Sequence, residues 1–155
     1  MITIRPALAS DASLMFEMLR ASAAAQGSPE SLAVTQADLL EDGFGPRPRF
    51  HCVIAEQDRT PAGMALYFFN YSTWVSRIGL YLEDLYVDPR FRRAGVARAL
   101  LRHLAEIARK EGCRRMQWLV HRENVAAIRL YHSFGAQSLD DWMVMAIAAT
   151  GIPTP

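Results

Sequence analysis

The sequence predicts a mixed α/β sheet of about six to seven strands flanked by helices. Three observations carry this. Apolar residues recur with period two in some segments and with helical period in others, in the order β-α-α-β-β-β-α-β-α-β. The early strand-like segments are joined by connections too short for anything but antiparallel pairing. One long amphipathic helix sits between two strand-like segments, a crossover that makes those strands parallel.

Each element has a local reason. Residues 2–5 alternate apolar and polar until Pro6 stops them. Ser10 or Asp11 caps a helix to about Ala25, with Leu14, Met18, Leu19 and Ser22 on one stripe, and Gly27-Ser28-Pro29 ends it. Thr35 opens a second helix over 36–42, with Asp38 completing a capping-box pattern. Residues 50–56 and 62–70 form a hairpin across 57–61. Residues 79–87 make a third strong strand, closed by Asp88-Pro89. The long helix runs over about 95–111, its apolar stripe being Val96, Leu100, Leu101, Leu104, Ile107 and Ala108, with Gly112 as its stop. A strand at 115–120, a helix at 124–134 ended by Gly135, and a last strand at 142–148 follow. Residues 1–149 are expected to form one domain and 150–155 a loose tail.

With 155 residues and 51% apolar content, the chain can close a core without disulfide or metal. Charged residues are 21%, which excludes intrinsic disorder, and no apolar run approaches a membrane span. The opening residues lack a charged segment followed by an apolar one, so the expectation is a cytoplasmic protein. Cys52 lies in a strand-like run and Cys113 follows a turn. They make no metal set, and no metal is expected.

The net charge of +1 argues against a nucleic-acid binder. Its distribution is uneven, however. Between Arg90 and Arg122 there are nine Arg and one Lys against Glu106 and Glu111, a local excess of +8. That field suits a polyanionic ligand smaller than a nucleic acid; a solvated helix face is the other reading.

The loop between the third strand and the long helix sits in this field. Amides at a helix start lack intrahelical partners, and the helix dipole adds positive potential there. Gly95 and Ala97 are small enough for a phosphate to approach, and Arg92, Arg93 and Arg98 stand around them. Neither a Walker loop nor the dinucleotide fingerprint is present. On spacing alone this is an anion site or an ordinary loop with a packing glycine.

Arg92-x-x-Gly95-x-Ala97 is similar to the R/Q-x-x-G-x-G/A signature of the GNAT superfamily of N-acetyltransferases. The segments 38–45 and 81–87 and the pair Leu130-Tyr131 further resemble the spermidine/spermine (diamine) N-acetyltransferase subfamily. The resemblance runs over about 4–147. It implies that the strand 79–87 splays from its parallel neighbour and opens a cleft for acetyl-CoA. The backbone of Leu85, Tyr86 and Val87 would then pair with the pantetheine arm. The amides of Arg93, Ala94, Gly95, Val96, Ala97 and Arg98, with Arg92, would hold the diphosphate. Asn124 and Ala127 would complete the cofactor wall. The resemblance also implies Tyr131 as general acid, Glu83 as the carboxylate at the amine, a homodimer, and a small cationic amine as substrate.

The chemistry is compatible with those residue types. A primary ammonium must lose a proton before it attacks a thioester, and Glu83 can draw it while attracting the cation. The departing thiolate needs a proton, which a tyrosine of similar pKa supplies. No Cys or Ser is paired with a base, so transfer is expected to be direct, in a ternary complex. Asp84 falls on the opposite strand face from Glu83 by alternation and is left out of the catalytic set. His121 either lines the cleft or lies on the surface.

The loop matching the polyamine-binding aromatic-acidic pair is here Ala25-Gln26, which puts long polyamines in doubt and leaves a shorter thialysine-like amine as plausible. Asp141, beside Asp140, is the candidate second carboxylate. Trp74 and Trp142 either wall the amine tunnel or pack in the core. The alternatives to a small-amine acetyltransferase are a protein or peptide N-acetyltransferase, or a non-catalytic CoA-binding module.

Overall fold

The structure, a computed structural model, describes residues 1–152. The chain divides into two compact units, Met1–Leu119 and the residues from Val120 onward.

The first unit is built on a sheet of five strands. They are β1 (Ile2–Pro6), β2 (His51–Gln57), β3 (Thr60–Ser72), β4 (Arg77–Val87) and β5 (Met116–Gln117), in spatial order β1-β2-β3-β4-β5. The first three pairings are antiparallel and β4–β5 is parallel, as the crossover through α3 (Val96–Lys110) requires. α1 (Ala12–Ala25) and α2 (Gln36–Phe44) precede β2.

Strand alternation sorts the core into two faces. Cys52, Ile54, Met64, Leu66 and Tyr86 pack with Met15, Met18, Leu19 and Leu39 of α1 and α2. Their strand neighbours Val53, Ala55, Ala65, Leu80 and Leu82 are buried on the other side, where α3 crosses the sheet and buries Val96, Leu100, Leu101 and Leu104.

Arg5 ties the first turn of the chain to the sheet. Its guanidinium reaches Glu56 at 2.7 Å and Asp11 at 2.7 and 2.9 Å, and Asp11 also accepts from the Leu8 amide at 2.8 Å. That Arg5 hydrogen bond holds the Asp11 carboxyl below its ordinary value. Asp11 thus braces β1 instead of capping α1, which has no side-chain cap. Thr35 does cap α2: its hydroxyl accepts from the Asp38 amide at 3.2 Å, and Asp38 accepts from the Thr35 amide at 2.8 Å.

Three expectations are corrected. The hairpin turn is two residues, Asp58 and Arg59, both left-handed at φ 50° and 66°, so Pro61 lies within β3. The strand expected over 115–120 pairs only at Met116 and Gln117. The segment 142–148 joins no ladder among the described residues, and the sheet has five strands instead of six to seven. Met143, Val144, Met145 and Ile147 have β-like composition but stand exposed. A strand needs a neighbour to pair with as well as a suitable sequence. Of the expected tail over 150–155, Ala149–Gly151 forms a 3₁₀ turn and the last three residues lie outside the described ones. No helix of the described residues is long and apolar enough to cross a membrane.

Leu104 is fully buried under the sheet. Leu104→Ala is expected to lower the unfolding free energy by about 2–5 kcal/mol, read by urea denaturation. A loss under 1 kcal/mol would mean that α3 is not a core element.

Candidate functional site

The site region begins where β4 departs from regularity. The pairs Leu66↔Asp84 and Tyr67↔Leu82 leave Glu83 as an extra residue, a β-bulge. The consequence is a change of face. Leu80 and Leu82 point toward α3, whereas Tyr86 joins the α1/α2 cluster with Leu66. Asp84, opposite Leu66, turns to the α1 side as well. The regular alternation that separates Glu83 from Asp84 in the sequence is interrupted between Leu82 and Asp84. Glu83 itself is exposed.

Asp84 lines a cavity of about 150 Å³ with Ser22, Gln26, Ser28 and Ser31 as its other polar walls. Gln26 Nε2 donates to Ser22 Oγ at 3.2 Å. No hydrogen bond or ion pair reaches the Asp84 carboxylate among the described residues. Burial, and then the charge of Glu83, push its pKa up to about 6. Residues Asp84 and Gln26, far apart in sequence, thus face one small polar space. The sequence signal for Asp84 was its neighbour Glu83, and only the bulge redirects it.

Beyond the bulge β4 stands alone on one edge. Its ladder with β5 ends at Tyr81↔Gln117, so Leu85, Tyr86 and Val87 pair with β3 on one side and, among the described residues, with no strand on the other. This is the splay that the resemblance implies.

The chain then turns into α3. Asp88 accepts from the Arg90 amide at 2.9 Å and pairs with its guanidinium at 2.7 Å, so Arg90 is spent on the turn. Arg93 and Gly95 are both left-handed, at φ 62° and 91°. At Gly95 the space is open, since a Cβ would meet only Ile2 Cδ1 at 3.9 Å; the backbone angle is what calls for glycine. Val96 is buried and anchors the helix start. The amides of Arg93, Ala94, Gly95, Val96 and Ala97 find no acceptor among the described residues. With the exposed Arg92 and Arg93 beside them, they form a cationic, donor-rich turn of the kind that binds anionic oxygens.

The second unit carries the remaining predicted residues. Asn124 caps α4 (Val125–Ser133), its Oδ1 accepting from the Ala127 amide at 3.2 Å. Tyr131 lies in the last turns of α4, and burial raises its phenol above the ordinary value. His121 is exposed and accepts from the Glu123 amide at 3.3 Å. Asp141 is exposed, and Trp142 is 67% exposed. In the first unit Trp74 stands on the β3–β4 turn at 85% exposure, so neither tryptophan packs in a core.

Residues 14–136 match the acetyltransferase (GNAT) family. The chain belongs to that family. As a GNAT protein it is 36% identical over 146 residues to thialysine N-epsilon-acetyltransferase of Mus musculus, covering 89% of this chain and 85% of that protein. It is also 36% identical over 143 residues to spermidine/spermine N(1)-acetyltransferase-like protein 1 of Homo sapiens, covering 88% of this chain and 20% of that one. Among solved structures, an integron cassette protein from V. cholerae matches with a TM-score of 0.79 at 21% identity, covering 97% of this chain and 94% of that one. That likeness establishes the GNAT fold.

Asp84 gives a test of this geometry. A carboxyl whose folded pKa is raised favours folding while protonated. That contribution is present at low pH and is lost as pH rises through about 6. Against Asp84→Asn, wild-type unfolding free energy is therefore expected to fall by on the order of 3 kcal/mol between pH 4 and 7.5. Parallel pH profiles for the two proteins would show that Asp84 is not a buried, unpaired acid.

Proposed function

We propose that this chain transfers the acetyl group of acetyl-CoA to a primary amine of a small cationic substrate, by direct attack in a ternary complex. The observation that carries the reading is the run of unpartnered amides at the start of α3, directly after an unpaired strand edge. One ligand with a diphosphate and an amide-bearing arm matches both features. The family match runs through the boundary between the two units, which supports reading them as one acetyltransferase domain.

The amides of 93–97, with Arg92 and Arg93, take the diphosphate of the donor substrate. Leu85 to Val87 offer their free edge to its arm, as an added strand would be met. The amine nitrogen attacks the thioester carbonyl carbon, the C–S bond breaks, and the products are an amide and free CoA. Glu83, exposed at the bulge, takes the ammonium proton directly or through water. A backbone N–H of β4 faces the oxyanion. Tyr131 gives its proton to the departing thiolate and is reprotonated, through water, by the second proton the nitrogen sheds as the amide forms; its phenol, raised by burial, stays protonated at neutral pH until that step. Cys52 is buried with its thiol pushed up to about 12, which is unsuited to a covalent acyl carrier.

The substrate is read as a short amine with a second cationic group. The cavity at Asp84 is too small for a whole polyamine and offers one carboxylate ringed by hydroxyls and an amide. Gln26 is neutral, so Asp84 leaves the cavity with that single charge. The name of the mouse relative points the same way.

A panel of thialysine, lysine, ornithine, putrescine, spermidine and short peptides, with acetyl-CoA and detection of free thiol, tests this. Thialysine or another short amine is expected to lead, with spermidine at least tenfold behind in kcat/KM. Preferred turnover of peptides, or binding of acetyl-CoA with no thiol released from any amine, overturns the assignment. Tyr131→Phe is expected to lower kcat about 100-fold while leaving the acetyl-CoA Kd unchanged. Gly95→Glu is expected to abolish acetyl-CoA binding by calorimetry, since it sets a negative charge among the phosphate donors. Gly95→Ala, which carries only the backbone strain, should retain binding; tight binding by the Glu variant would remove the phosphates from this loop.

A further inference from the structure

The basic excess of the 90–122 segment is divided in space. Arg92 and Arg93 stand at the start of α3, while Arg109, Arg114 and Arg115 stand at its end, together with Arg77 from the start of β4. A helix of 15 residues spans about 22 Å, too far for one diphosphate to serve both ends. The acetyl-donor site therefore leaves the second cluster unexplained.

These four arginines line an open groove of about 540 Å³, with Cys113 and Gly112 among the other walls. Among the described residues no acidic side chain lines it, although Glu111, next in the chain, is near enough for its charge to act on the Cys113 thiol. None of the four guanidinium groups makes a hydrogen bond or ion pair among the described residues, in contrast to Arg5, Arg20 and Arg90. The backbone beneath is fixed. Cys113 N donates to Ala108 O at 2.8 Å and closes α3, Arg114 N donates to Ile78 O at 3.0 Å, and Arg115 O accepts from Leu80 N at 2.9 Å. Left-handed Gly112 leaves room for Arg77, whose Nη1 lies 3.7 Å from where a Cβ would stand. The negative end of the helix dipole accounts for one or two cations there. It does not account for four arginines lining one groove, a density of positive charge that a multivalent anion would offset.

We propose that this groove binds a small anion with several phosphate-type groups, independently of acetyl-CoA. Guanidinium forks suit paired oxyanion oxygens. The groove is sized for a small molecule, and the near-neutral chain is not suited to long nucleic acid.

Inorganic tripolyphosphate is the probe. Titrated calorimetrically into the full chain saturated with acetyl-CoA, it is expected to bind once per chain and to weaken as salt rises. The double variant Arg109→Ser/Arg115→Ser is expected to weaken binding at least tenfold at unchanged acetyl-transfer rates, whereas Arg92→Ser/Arg93→Ser leaves it intact. Cys113 gives a second readout: Cys52 is buried, so thiol alkylation reports the groove, and tripolyphosphate should slow it several-fold. Absence of binding, displacement by acetyl-CoA, or no effect of the double variant overturns the proposal. Tighter binding of a 20-base-pair duplex through the same arginines overturns the small-ligand assignment in favour of a nucleic-acid surface.

Discussion

Backbone polar groups need partners, and in this protein β4 is where partners run out. The parallel pairing with β5 stops after two residues, while β4 continues for six more. The chain then enters α3 through left-handed turns that leave five successive amides without acceptors among the described residues. A folded domain normally satisfies such groups internally or with water. Here the two deficits are consecutive in the chain and lie next to each other. The strand edge and the helix start together form a surface whose unmet hydrogen bonds suit an extended, anionic-headed ligand. The remainder of the first unit supports that arrangement. Val96 and the α3 stripe fix the helix start against the sheet, and the antiparallel ladder with β3 holds the stretch of β4 beyond β5 in place.

The bulge at Glu83 adds a second effect. Inserting one residue into β4 exchanges its faces, so that Leu80 and Leu82 serve the α3 core while Asp84 and Tyr86 serve the opposite one. A carboxylate is thereby set against the end of α1, in a position a regular strand would have given to the α3 core. Burial there costs charge stability and raises the pKa into the physiological range. The same residue insertion leaves Glu83 exposed, with an ordinary route to water. Two adjacent acids acquire different environments from one irregularity in the ladder.

What the sequence conveyed follows from the range of each signal. Helix α3, its stop at Gly112, the Thr35 capping box and the strand 79–87 rest on periodicity and local capping, and the structure places each within a few residues of its expected bounds. The hairpin across 57–61 was legible, but its two-residue Asp58-Arg59 turn was not, because neither residue is glycine or asparagine although both adopt left-handed angles. The short β5 and the 142–148 segment, which joins no ladder among the described residues, escaped because composition reports fitness for a pleated surface, whereas strand formation depends on what stands alongside. The turn into α3 was legible as one cluster because its glycine, its small residues and its arginines are contiguous. Asp84 was not, because its meeting with Gln26 depends on a bulge that one residue of ladder shift creates and no short pattern announces.

Charge along α3 shows the same limit in the opposite sense. As a linear count the excess of +8 is one feature, and it is natural to assign all of it to one ligand. Folding separates it by the length of the helix. At the first end the arginines flank amides that find no acceptor among the described residues, so in the proposed reading main chain and side chains would act together on one anion. At the other the amides are already bonded in the α3 terminus and to β4, and the side chains alone hold the positive field. A site of main-chain donors favours one fixed oxyanion geometry, whereas a groove of flexible guanidinium groups tolerates several arrangements of charge. The two ends of α3 thus differ in the selectivity they can impose, although the same residue type supplies the charge at both.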